Sequence, residues 1–121
     1  MRTGHAMAFL LMLIVNFACS EPAGPGEVAS EFFGHLQHGQ PEMARALLSA
    51  EVSDELEHQF GGKEIISFVI EDVRISGDGN SAWADWSTEM EPFGPGDTNE
   101  GGRLELDRDE SGHWVITGFG N

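Results

Sequence analysis

The stretch that decides the fold is residues 65–88, which read Ile-Ile-Ser-Phe-Val-Ile-Glu-Asp-Val-Arg-Ile-Ser-Gly-Asp-Gly-Asn-Ser-Ala-Trp-Ala-Asp-Trp-Ser-Thr. Apolar and polar residues alternate on both sides of positions 76–80, where Ser-Gly-Asp-Gly-Asn favours a tight turn. Because strand side chains alternate between two faces, this pattern predicts an antiparallel hairpin whose first strand begins at Ile65.

The first of these strands changes phase along its length. Ile66, Phe68 and Ile70 are expected on one face, whereas Val73 continues the apolar pattern out of phase. One extra residue in a strand shifts the alternation in this way. The sequence therefore predicts a β-bulge near residues 71–72, where the strand bends.

Three helices are predicted before the hairpin. Residues 27–38 carry apolar side chains at i, i+4 and i+8, and Gly39 is suited to end that helix. Pro41 is suited to the first position of a second, short helix. A third is expected over residues 53–60, where acidic residues in the first turn favour the helix N-terminus.

Two further strands are predicted after the hairpin. Residues 91–102 are rich in glycine and proline and are expected to form a long loop. Residues 103–108 form a short strand, which a turn connects to the last strand at residues 113–119. Helices followed by strands in hairpin connection predict an α+β domain, with N-terminal helices packed on a bent four-stranded antiparallel sheet.

This order resembles the small bacterial members of the nuclear transport factor 2-like (NTF2-like) superfamily, which has a cystatin-like, cone-shaped fold. The resemblance covers residues 27–119. It is carried by four segments, Glu-Val-Ala-Ser-Glu-Phe-Phe-Gly-His-Leu, Gly-Gln-Pro-Glu-Met-Ala-Arg-Ala-Leu-Leu-Ser, Gly-Asp-Gly-Asn-Ser-Ala and Asp-Glu-Ser-Gly-His-Trp-Val-Ile. The resemblance implies a conical cavity between the first helix and the sheet. The superfamily includes isomerases, dehydratases, binding modules and lipoproteins, so fold alone decides no activity.

The N-terminus resembles a bacterial lipoprotein signal. An apolar run at residues 6–18 precedes Cys19, the only cysteine of the chain, and is short for a membrane span. We expect a signal peptide at residues 1–18, a lipidated Cys19 with a tether at 19–26, and a single domain at 27–121. Ser20 implies anchoring in the outer membrane, facing the periplasm. Cleavage after Ser20, which would release a soluble secreted or periplasmic protein, and an uncleaved anchor are the alternatives.

The charge of the chain limits its partners. The 121 residues include 21 acidic and 6 basic side chains, for a net charge of −15. This acidity argues against nucleic-acid binding, which requires a basic surface, and against adhesion to anionic lipid headgroups. We therefore expect membrane contact only through acyl chains on Cys19. The charge itself favours a cation or a basic partner, or serves solubility alone.

Five aromatic residues are the candidates for lining the expected cavity: Phe32, Phe68, Trp83, Trp86 and Trp114. The alternative is that they fill the cone and form the core, since so small a domain needs most of its aromatic residues for stability.

Asp85 lies between two tryptophans and is the one candidate for a general base, because an apolar environment raises a carboxyl pKa. Strand alternation, however, places it on the face of Trp83, opposite Trp86, and this predicts a solvent-facing side chain. The chain also lacks tyrosine, the usual oxyanion donor of the related isomerases. We therefore assign no catalytic residue.

Two groups of residues partly match metal sites. Glu31, His35 and His38 share one stripe of the first helix, but no metalloprotease-like motif accompanies them. The segment 97–102 resembles the start of a calcium loop, but Arg108 stands at the twelfth position, where a glutamate is required. We expect no metal and no cofactor.

The sequence leads to two functional hypotheses. The first is an envelope-anchored lipoprotein that acts as a non-enzymatic binding or interaction module, with a homodimer through the sheet face at Trp83, Val115 and Phe119. The second is a small-ligand carrier, or an isomerase- or dehydratase-like enzyme, that uses the cone.

Overall fold

The computed structural model describes residues 23–92 and 99–120. The elements in chain order are α1 (Pro25–Gln37), α2 (Pro41–Arg45), α3 (Glu55–Phe60), β1 (Lys63–Ile75), β2 (Ser81–Pro92), β3 (Asn99–Arg108) and β4 (Trp114–Gly120). The four strands form one antiparallel sheet in the order β1-β2-β3-β4. The helices pack on one face of it, so the predicted α+β class and element order are confirmed.

Helix α1 begins two residues earlier than predicted, inside the expected tether. Pro25 occupies its first turn, where the missing N–H has no helical acceptor to lose. Its buried stripe consists of Val28, Ala29, Phe32 and Phe33. The helix ends at Gln37, and Gly39 follows its C-cap with a φ of 70°, in the left-handed region that glycine adopts without strain. In the part of the chain described, no helix is long and apolar enough to cross a membrane.

Strand β1 contains two irregularities where one was predicted. The register shifts between Ile70 and Asp72, at the predicted position, and also between Ile65 and Ser67. The second shift leaves Ile66 outside the ladder and 45% exposed, so Ile65 enters the core in its place. The prediction that Ile66 shares the inward face with Phe68 and Ile70 is therefore wrong. Two adjacent isoleucines fit either phase of the alternation, and the sequence pattern cannot choose between them.

Strand β4 also changes phase, and this alters the outer face of the sheet. Leu106 pairs with Ile116, but Glu105 pairs with Gly118, so one residue of β4, Thr117, lies between successive partners. Phe119 consequently pairs with Leu104 and packs on the core. The expectation that Phe119 faces outward beside Val115 is wrong, because it assumed uninterrupted alternation.

The segment between α2 and α3 covers the free edge of β4. Ser49 N donates to Ile116 O at 2.8 Å, and Ile116 N donates to Leu47 O at 2.9 Å. At the opposite edge, Gln37 Nε2 of α1 donates at 2.7 Å to Ile66 O, in the irregularity between Ile65 and Ser67. Both edges of the sheet are thus contacted by the helical layer.

The core lies between α1 and the sheet. On β2 the inward residues are Ala82, Ala84, Trp86, Thr88 and Met90, all buried. Residues between them point to the opposite side, which we call the outer face; among the described residues no helix covers it. The small side chains of Ala82 and Ala84 lie on the face that packs against the helices, as strand alternation predicts.

Candidate functional site

Aromatic rings occupy the space between α1 and the inner face of the sheet. Ring centroids lie 5.1 Å apart for Phe32 and Phe33, 4.9 Å for Phe33 and Trp86, and 5.9 Å for Phe60 and Phe119. These are the separations of aromatic pairs in direct contact. Phe32 and Phe33 are wholly buried. The rings therefore form a continuous packed cluster where the resemblance implies a cavity.

The polar groups of this interior are few. Among the described residues Thr88 is the one buried polar side chain, and its Oγ1 donates to Glu100 O at 3.4 Å. Trp86 Nε1 is buried and has no hydrogen-bond partner in the described part of the chain. No carboxylate or imidazole among these residues is buried. General acid–base catalysis needs such a group in contact with substrate.

The five residues predicted to line a cavity lie in three different environments. Phe32, Trp86 and Trp114 are buried, and Phe68 is half-buried and stacked on Phe33 at 5.7 Å. Trp83 lies on the outer face, because it pairs with Arg74 and Glu105 between inward pairs. Its assignment to the interior of the cone is therefore wrong.

An apolar crevice of about 270 Å³ lies beside the cone, between the ends of α1 and α3 and the start of β1. Its apolar lining is Leu36, Pro41, Leu56, Phe60 and Ile65, with Glu57 and Lys63 among its polar residues. None of the five predicted aromatic residues lines it. The Lys63 ammonium donates to Glu100, so its charge is already paired.

An ion pair stacked on an indole occupies the middle of the outer face. Arg103 Nε donates to Asp85 Oδ1 at 2.7 Å, and Nη2 donates to Oδ2 at 3.3 Å. The guanidinium lies 5.4 Å from the Trp83 ring centroid. Hydrogen bonding to Arg103 holds the pKa of Asp85 below its ordinary value, and the same bond raises the pKa of Arg103. Asp85 therefore stays ionised and is a poor general base.

A shallow groove of about 500 Å³ crosses the outer face next to this ion pair. Its outward lining residues are Ser67, Val69, Ser87, Glu89, Asn99 and Gly101. Ser67 Oγ donates to Glu89 Oε2 at 3.5 Å, a long contact. Small side chains form its floor, and it is open to solvent.

The metal candidates do not assemble in the structure. His35 Nε2 lies 3.4 Å from Glu31 Oε1, but His38, the C-cap residue of α1, directs Nδ1 to Gly34 O at 2.7 Å. In residues 23–92 and 99–120 no three potential ligands converge. Cys19 and the first two residues of the calcium-like loop lie outside the described residues.

Comparison of the structure with solved structures identifies the fold. The solution structure of a SEC-C motif-containing protein from Rhodopseudomonas palustris matches with a TM-score of 0.65 and 10% identity, covering 85% of this chain and 83% of the other. An NTF2-like transpeptidase from Campylobacter jejuni matches with a TM-score of 0.54 and 17% identity, covering 78% of this chain and 98% of the other. The fold is NTF2-like. No protein-family model and no curated protein matches the sequence.

The NTF2-like fold is the extent of what these likenesses show. At 10% and 17% identity, side chains of a site need not correspond, so the activity named for the Campylobacter jejuni protein stays with that protein. Within this NTF2-like domain, the Asp85–Arg103 pair is a feature that sequence reasoning missed. In the sequence, the one indication of this pair is that Asp85 and Arg103 have opposite charges and lie on two predicted strands. Their pairing follows from the β2–β3 register, which cannot be deduced from the sequence because a long loop separates the two strands.

Proposed function

We propose that this protein is an envelope-anchored lipoprotein whose NTF2-like domain is a non-enzymatic binding or interaction module. The observation that carries the proposal is the division of the sheet into two unlike faces. The inner face meets a packed aromatic cluster that holds no buried ionisable group among the described residues. The outer face carries an indole, an ion pair and a groove, and no helix of the described part covers it.

Anchoring at Cys19 is supported by the apolar run that precedes it and by the start of the fold soon after. Helix α1 begins at Pro25, six residues beyond the cysteine. At roughly 3.3–3.6 Å per residue, this length holds the helix within about 20 Å of the lipid attachment point. Several acyl chains on one cysteine anchor a protein stably. The proposed location is the periplasmic side of the outer membrane, and a free secreted or periplasmic protein is the alternative.

Intact mass spectrometry of the protein from its native membrane fraction tests the anchoring. We expect a mass that corresponds to cleavage before Cys19 plus acyl chains, and loss of that species in Cys19→Ala. A soluble species that begins at Glu21 would contradict the lipoprotein assignment and support a secreted domain.

A small-ligand carrier or an isomerase- or dehydratase-like enzyme is the second candidate function. The apolar crevice beside the cone favours it, although its volume of about 270 Å³ is near the lower limit of ligand pockets. The crevice can be tested with the apolar dye 1-anilinonaphthalene-8-sulfonate, whose fluorescence rises on burial.

The two functions differ in the result of that titration. Saturable dye binding that Leu36→Gln abolishes and Leu47→Gln preserves would support the carrier or enzyme. The two leucines are matched because both are half-buried and pack on the same core, but only Leu36 lines the crevice. No saturable binding is expected if the domain is an interaction module.

A further inference from the structure

The outer face carries more negative than positive charge around two partly exposed apolar side chains. Its outward residues on β1–β3 include five carboxylates and two guanidinium groups: Asp72, Asp85, Glu89, Glu105, Asp107, Arg74 and Arg103. Between them lie Trp83, which is half-buried, and Val69, which is 57% exposed. Aromatic and aliphatic groups inside a charged rim are the usual composition of a protein interface.

Both cations of this face are already paired. Arg74 Nε lies 3.0 Å from Asp72 Oδ2, and Arg103 Nε lies 2.7 Å from Asp85 Oδ1. Among the described residues no cation lies within ion-pair distance of Glu89, Glu105 or Asp107. Residues 93–98, Phe-Gly-Pro-Gly-Asp-Thr, contain no basic side chain that could complete them.

The charges of the outer face favour some binding partners over others. A second copy would bring two surfaces of the same negative sign together, and like charges across an interface are unfavourable. A basic chain would pair with the three remaining carboxylates and leave the two existing ion pairs intact. Charge complementarity therefore favours a basic partner over the homodimer.

We propose that the outer face docks a basic polypeptide segment. Lysine or arginine side chains of the partner pair with Glu89, Glu105 and Asp107, and its apolar side chains contact Trp83 and Val69. The groove of about 500 Å³ at Ser87 and Gly101 accommodates part of this segment. The proposal deepens the binding role proposed above and rests on it, but it is independent of anchoring at Cys19.

The test measures binding of a short fluorescent peptide of alternating lysine and valine to the full protein, purified from whichever fraction contains it and kept in non-ionic detergent. Fluorescence anisotropy at low ionic strength gives the Kd. Replacing the three carboxylates together, by Glu89→Gln, Glu105→Gln and Asp107→Asn, is expected to weaken binding about tenfold, since each exposed pair contributes modestly.

A matched variant separates this surface from the charge of the whole chain. This variant also loses three negative charges, but from exposed positions off the outer face, by Glu51→Gln, Asp54→Asn and Glu110→Gln. We expect this variant to change Kd less than about twofold. Equal loss of affinity in both triple variants would overturn the proposal, because attraction would then be a property of the net charge.

The apolar part of the interface is tested at high salt, where ion pairs are screened. Trp83→Ala is expected to weaken residual binding about fivefold, as buried aromatic contacts dominate interfaces. If that variant does not fold, Val69→Ser is used in its place, because Val69 is exposed and not part of the core. Unchanged affinity in the folded variant would overturn the role assigned to these side chains.

Sedimentation of the same samples measures the oligomeric state and thereby tests the homodimer as the alternative. Absence of peptide binding together with a dimer that Trp83→Ala dissociates would overturn the basic partner in favour of a second copy. The mass measurement of Cys19 is unaffected by either result, so failure of this surface and failure of the lipoprotein assignment are distinguishable.

Discussion

Gly102 of β3 is the position at which the backbone makes room for the indole of Trp86. A Cβ there would lie 2.9 Å from Gly120 O and 3.0 Å from Trp86 Cζ2. Both neighbours are fixed, one by the β3–β4 pairing and the other by the aromatic cluster. We expect Gly102→Ala to lower the free energy of unfolding by about 1–3 kcal/mol, as overpacking does elsewhere. Urea unfolding followed by tryptophan fluorescence measures it.

Gly34→Ala is the matched control for that substitution. Gly34 lies within α1, and an added Cβ would meet nothing within 4 Å. Alanine is the better helix former, so this variant is expected to gain about 0.5–1 kcal/mol. If Gly102→Ala were as stable as the wild type, the contact between β3 and the Trp86 indole could widen without loss of stability, which would contradict the prediction.

The ion pair of Asp85 is expected to make the stability of the domain depend on pH, because the hydrogen bond from Arg103 lowers the pKa of Asp85 in the folded state. Such a group contributes stability above its unfolded pKa of about 3.9 and loses that contribution as pH falls through the folded value. Asp85→Asn is therefore expected to lower the free energy of unfolding at about pH 7 and to have little charge-dependent effect near pH 2. Urea titrations of both proteins at the two pH values give the comparison.

Asp54→Asn serves as the reference for this pH dependence. Asp54 is exposed and has no ion-pair partner among the described residues. Its substitution should change stability little at either pH. If the effect of Asp85→Asn were the same at both pH values, the carboxylate would act through its shape and not through its charge.

At the scale of elements, the phase shift in β4 determines which aromatic residues belong to the core. Phe119 lies 6.0 Å from Phe32 and 5.9 Å from Phe60 between ring centroids, whereas Val115 is on the outer face. Phe119→Ala is expected to lower the free energy of unfolding by about 2–4 kcal/mol, because it opens a cavity in the cluster. Val115→Ala should lower it by less than about 1 kcal/mol. Chemical denaturation of the two variants compares them, and the reverse order would place Phe119 outside.

The two bulges of β1 show what a sequence pattern can and cannot predict about elements. The bulge at residues 70–72 was predictable because polar Glu71 and Asp72 stand together between apolar residues. The bulge at Ile66 was not, since two adjacent isoleucines conceal the change of phase. In β4, Thr117 and Gly118 carry no signal that separates a bulge from regular alternation.

At the scale of the whole molecule, net charge is the dominant electrostatic feature. The chain carries 21 acidic against 6 basic residues, and such an excess destabilises a compact state through self-repulsion. Added sodium chloride is therefore expected to raise Tm by several degrees, because it screens that repulsion. Differential scanning calorimetry at low and high salt measures the change. The Glu51, Asp54 and Glu110 triple variant should respond less, and a Tm independent of salt would contradict the expectation.

The fold of the described residues was predictable from the sequence, and the candidate site only in part. Helix periodicity, turn chemistry and strand alternation are local signals, and they agree on one α+β architecture. The packing of the cone depends on contacts among α1, α3, β2 and β4, such as Phe33 with Trp86 and Phe60 with Phe119. The outer-face ion pair depends on cross-strand register. Neither kind of information is contained in a local pattern.

The interrupted edge of the sheet has a consequence for solubility. A long exposed strand is a template for further strands, and β1 has 13 residues with exposed Val69 and Ile75. Its two bulges break the regular row of backbone donors and acceptors, and Gln37 already occupies the carbonyl of Ile66. Leu47 and Ser49 cover the edge at β4. We therefore expect the domain to stay free of strand-to-strand association when it is concentrated, and to resist growth into cross-β fibrils.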